Sequence, residues 1–135
     1  MFQTMNTKMG GPIIVLDEGD SLFCVVIEIR ETSHKDMKGH LVDCRVGELE
    51  FSLNGHTALV KGLRQGMGDI PTLFCIARGP ISGRTITYDV GAYMTDGGTA
   101  VGNPETFWAT DAGTQAKAAA VALITDKIDA LPPRD

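Results

Sequence analysis

Aromatic side chains are scarce in this chain, with five Phe, two Tyr and one Trp in 135 residues. A surface that holds nucleobases by stacking therefore has few rings to draw on. Cysteine is also sparse: Cys24, Cys44 and Cys75 lie far apart in apolar runs. An odd count without CxxC spacing excludes a disulfide framework and a zinc ribbon, and leaves buried free thiols in a reducing compartment. His34, His40, His56 and Asp36 match no metal-site spacing. No GxSxG, Walker loop, paired catalytic carboxylates or Cys–His arrangement is present. The expectation is a protein that is not an enzyme and carries no metal or cofactor. Residues 1–8 have no signal-peptide apolar core, and no apolar run reaches transmembrane length. A cytoplasmic protein without membrane contact is expected, in the host cytoplasm if it is viral.

What is present fits one ordinary domain that buries its own core, with 43% apolar and 21% charged residues. The net charge of -5 is unevenly spread. Residues 1–29 carry -3, residues 30–84 carry +2 and residues 85–135 carry -4. A mildly basic middle between acidic ends permits nucleic-acid binding without requiring it.

Residues 1–11 read as a flexible lead-in ending in glycines, and residues 12–16 as a short apolar run before the turn Asp17-Glu18-Gly19-Asp20. Residues 21–30 predict a strand, with Phe23, Val25, Ile27 and Ile29 on one face and Cys24, Val26, Glu28 and Arg30 on the other. Residues 32–40, TSHKDMKGH, read as a polar turn pivoting at Gly39. Val42, Cys44 and Val46 alternate with Asp43 and Arg45 in a second strand, and Leu49, Phe51 and Leu53 line a third. Leu59, Val60 and Leu63 then switch to helical spacing. Residues 72–78 predict a fourth strand, with Leu73, Cys75 and Ala77 inward and Phe74, Ile76 and Arg78 outward. After a loop at residues 79–83, residues 84–90 predict a fifth, with Ile86, Tyr88 and Val90 inward.

Residues 111–131 predict a final helix, capped by Asp111 or Thr114 and striped by Ala116, Ala120, Leu123, Ile124, Ile128 and Leu131. Phe107 and Trp108 are expected to anchor it. Three strands, a short helix and two strands is the order of the OB-fold. The expected architecture is mainly β: a flexible segment at 1–11, a five-stranded OB-fold barrel at 12–94 with its helix between strands three and four, a glycine-rich linker at 95–110 and a C-terminal α-helix at 111–131.

The run GDSLFCVVIEIR, the segment SHKDMKGH, the stretch VGELEFSLNGHTALVKGLRQ, the Gly68-Asp69 step, a strand ending in ARG and TITYDVGAY together cover just over half of the chain. In these motifs the chain resembles phage-encoded OB-fold proteins linked to single-stranded DNA binding. The resemblance implies non-specific coating of single-stranded DNA in replication or recombination.

OB-folds bind across the face of strands two and three, flanked by the loops between strands one and two and between strands four and five. Here those regions supply Lys35, Lys38 and His40 in the first loop, Arg78 and Arg84 around the second, and Arg30 and Arg45 on adjacent strands. Cations flanking a groove track a phosphate backbone. Phe74 and Tyr93 are the candidate stacking platforms, with Phe74 and Tyr88 also suited to core packing. Glu48 and Glu50 oppose this reading if they share the outer face. The alanine-rich final helix offers a place for self-association or a replication partner. The competing expectation is an OB-fold protein-interaction or virion assembly module that binds no nucleic acid.

Overall fold

The computed structural model describes residues 11–34, 37–66, 72–92 and 104–131, with His34, Met37, Lys38, Gly66 and Thr72 described by backbone alone. Six strands form one mixed sheet: β1 (Ile13–Ile14), β2 (Ser21–His34), β3 (Met37–Val46), β4 (Leu49–Asn54), β5 (Thr72–Ser82) and β6 (Thr85–Ala92). Their spatial order is β1-β4-β3-β2-β5-β6. All neighbours are antiparallel except β1 and β4, which run parallel. Among the described residues β4 and β6 are not paired, so the sheet is open where a closed five-stranded barrel was expected. Instead, the short apolar run at the start of the chain supplies β1 along the outer edge of β4.

Helix α1 (Thr57–Gly66) joins β4 to β5 and packs on β6. A Cβ at Gly62 would meet the Val90 side chain at 3.1 Å, so the glycine allows this close approach. Leu59, Val60 and Leu63 bury the apolar face of α1 against the sheet. Each such side chain contributes about 1.5–3 kcal/mol by leaving water. The segment before the final helix, expected as linker, contains the short helix α2 (Pro104–Trp108). Its Phe107 lies 5.3 Å from Phe23 of β2, centroid to centroid, and Trp108 is buried beside it. These rings do anchor the final helix, α3 (Asp111–Asp129). Thr110, rather than Asp111 or Thr114, caps α3: its Oγ1 accepts from the Gly113 N–H at 2.9 Å. Of the expected stripe, Ala120 and Ile124 are buried, whereas Leu131 lies beyond the helix and is 39% exposed. At its far end Lys127 bridges Asp17 at 2.5 Å and Asp20 at 2.8 Å, tying α3 to the β1–β2 turn.

Strand β2 is therefore covered on both sides. Leu22, Cys24 and Val26 face the interior shared with α1, and Phe23 and Val25 lie on the side covered by α2 and α3. A register shift between Val26 and Glu28 bulges Ile27 and reverses the alternation beyond it. Ile29 consequently pairs with Val42 and joins the Val26 side, not the Phe23 side that uninterrupted alternation assigned it. The expected faces of β5 are also corrected, here by its uninterrupted pairing with β2. Phe74 and Ile76 are completely buried, paired with Cys24 and Leu22, so this side is the interior. Cys24 and Cys44 are buried free thiols, as expected, and burial pushes the Cys44 thiol well above its ordinary range.

Two expected loops are strand. The described part of the stretch read as a polar turn is a β-ribbon, with Glu31 opposite His40, Thr32 opposite Gly39, Ser33 opposite Lys38 and His34 opposite Met37, while Lys35 and Asp36 lie outside the described residues. The loop at 79–83 is the end of β5, with a register shift between Arg78 and Ile81, and the chain reverses at Gly83 with φ +64°. No helix among the described residues is long and apolar enough to cross a membrane.

Candidate nucleic-acid interface

The outer face of β3 and β4, where phosphate contacts were expected, carries an ion pair and a cluster of carboxylates. Arg30 donates to the Asp43 carboxylate through Nε at 2.6 Å and Nη2 at 3.0 Å, and Ser52 Oγ donates to Asp43 Oδ1 at 2.8 Å. Asp43 is 1% exposed and Arg30 30%. This bidentate geometry holds the guanidinium against a buried carboxylate and raises its pKa. Arg30 is thus not a free phosphate ligand. Arg45 stands opposite Glu50 in the strand register and lines a hollow with Glu48, Glu50 and Glu105. Three carboxylates around one arginine repel a polyanion.

Two more expected contacts are lost to the interior. Phe74 is fully buried and cannot stack a base. Arg78 lies on the interior side of β5 opposite Tyr88, and its Nη1 donates to the Leu16 carbonyl at 2.6 Å. Its Nε is buried and has no hydrogen-bond partner among the described residues. Lys35 and Tyr93 lie outside the described residues, and Lys38 is placed only by register, opposite Ser33 near the tip of the ribbon.

The remaining cations gather around α1. His40, at the base of the ribbon, lines a groove of about 400 Å³ with Thr57, Val60, Lys61, Arg64 and Gln65. Lys61 and Arg64 are exposed on the helix, which has no acidic residue in its first turn. Among the described residues no carboxylate lines this groove, although Glu31 sits opposite His40 in the ribbon. Arg84 is exposed at the β5–β6 turn and lines a neighbouring space of about 190 Å³ with His56, Thr57 and Ile86. Thr57, at the start of α1, is common to both spaces. His56 Nδ1 and Tyr88 Oη are 2.7 Å apart and their rings stack at 5.8 Å. Burial and the nearby Arg78 charge lower the His56 pKa, while burial raises that of Tyr88.

Of the expected residues whose side chains are described, His40 and Arg84 alone line these two spaces. Lys61, Arg64 and His56 were missed by sequence reasoning. The available signal was the position of Lys61 and Arg64 one turn apart on the polar side of a short amphipathic helix. Among the described residues no group of three or more His, Cys, Asp or Glu forms a metal site.

No family model, curated protein or solved structure matches this chain. The site must be read from its own geometry.

Proposed function

We propose that this chain binds single-stranded DNA non-specifically, as a coating protein of phage-type replication or recombination, and that it is not an enzyme. The observation that carries the reading is the groove beside α1. Among the described residues His40, Lys61 and Arg64 converge there without a lining carboxylate, and Arg84 continues the cationic surface past Thr57. Cations without paired acids exchange condensed counterions for phosphates, which is the source of sequence-independent affinity. The OB-fold reading is supported by the order β4-β3-β2-β5-β6 with a helix between β4 and β5, which follows the connectivity of that barrel. A host-cytoplasmic location fits the buried free thiols. The binding surface proposed here differs from the expected one, because the strands' outer face is occupied by Arg30–Asp43–Ser52 and by the acids around Arg45.

The test compares variants by fluorescence anisotropy with a labelled single-stranded oligonucleotide at several salt concentrations. The double variant Lys61→Ala/Arg64→Ala is expected to bind on the order of tenfold more weakly at low salt, with its salt slope reduced by about 1.4. Arg45→Ala is expected to bind like the wild type or slightly less well. A loss in Arg45→Ala equal to that of the double variant would move the interface to the outer face of β3 and β4.

A further inference from the structure

The smaller space beside the cationic groove has a lining that phosphate binding alone does not use. It is bounded by His56, Thr57, Ala58, Arg84, Thr85 and Ile86. We propose that it is a nucleobase pocket, in which one base of the bound strand stacks between the His56 imidazole and the Arg84 guanidinium. This inference rests on the single-stranded DNA reading and adds to it the part of the strand that the pocket takes.

Stacking on a histidine ring or a guanidinium plane is a common way of holding an unpaired base. The His56 ring is fixed in advance, because Tyr88 both stacks with it and bonds Nδ1 through its hydroxyl. A ring that is already ordered loses little conformational entropy when a base settles on it. Burial and the Arg78 charge lower the His56 pKa and so favour the neutral imidazole, which leaves water at less cost than a charged ring. Ile86 adds an apolar wall, and the hydroxyls of Thr57 and Thr85 offer both donors and acceptors to a base edge. Such hydroxyls satisfy any of the four bases, which suits a sequence-tolerant site.

The two spaces share Thr57, so a strand with phosphates on Lys61 and Arg64 runs directly past the pocket. A base in a duplex is stacked on both sides and cannot enter without being extruded, at a cost of a few kcal/mol. The pocket therefore accounts for a preference for single strands that the cations alone do not create.

The decisive comparison is between an oligothymidylate and an abasic oligomer of equal length, titrated by anisotropy at the same salt. The wild type is expected to bind the thymidylate about tenfold more tightly than the abasic strand. His56→Ala is expected to reduce that ratio to near one, chiefly by weakening thymidylate binding, and His56→Phe, which retains a ring, is expected to restore most of it. Tyr88→Phe keeps the core ring and removes only the hydroxyl that holds His56. It is expected to lower the ratio severalfold in a protein with an unchanged thermal transition. Equal binding of both strands by the wild type, or a ratio that survives in His56→Ala, would overturn the pocket and leave the coating role standing. Binding of neither strand would overturn both.

Discussion

Replacing Phe74 with alanine is expected to cost about 3–5 kcal/mol of stability and to leave the DNA affinity of the folded protein unchanged. The ring is completely buried on the interior side of β5, opposite Cys24 of β2 and Ala92 of β6. Its loss removes apolar contact from the centre of the sheet and leaves a cavity that neighbours on three strands cannot fill without moving. The measurement is urea unfolding, in which the midpoint should fall while the slope stays constant. Anisotropy on the protein that remains folded should then match the wild type. Unchanged stability with weakened DNA binding would mean that Phe74 faces solvent and stacks a base, as alternation along residues 72–78 implied.

Asp43→Ala is expected to have the second-largest effect, about 2–4 kcal/mol. Its carboxylate receives two hydrogen bonds from Arg30 and one from Ser52. Without it, the nearly buried Ser52 hydroxyl and one side of the Arg30 guanidinium lose their partner. The upper end of the usual range for a broken buried pair is not expected, because Arg30 keeps 30% exposure and can recover some hydration. Replacing both partners with apolar side chains, Arg30→Met with Asp43→Leu, should be less damaging than Asp43→Ala alone. Denaturant titration of Asp43→Ala, of the double variant and of its single variants Arg30→Met and Asp43→Leu checks this ordering. Additive losses in the double variant would show that the pair is not coupled.

The elements with one dominant period were legible in the sequence. Helix α1 spans Thr57–Gly66 where Leu59, Val60 and Leu63 switched to helical spacing, and α3 begins at Asp111 as its stripe required. The facing of the central strands was not legible. Residues 21–27 and 72–77 are nearly continuous apolar runs because β2 and β5 are covered on both sides, and a strand buried on both faces has no polar side to mark the interior. The bulge at Ile27 then inverted the alternation where it looked most regular.

The ribbon at 31–40 was hidden for the opposite reason. It extends beyond the described pairings of β2 with β5 and of β3 with β4, and its sequence carries no hydrophobic alternation. The site was partly legible. Residue type identified the cations, but only tertiary pairing separates Arg30 and Arg78, which hold the fold together, from Lys61, Arg64 and Arg84, which remain exposed.

The most direct test of the central claim is anisotropy of a labelled ~30-mer of single-stranded DNA with the wild-type chain, at low and at moderate salt and against the matching duplex. The account expects saturable binding to the single strand that exceeds duplex binding and weakens steeply as salt rises. No binding at low salt, or equal affinity for duplex, would contradict it.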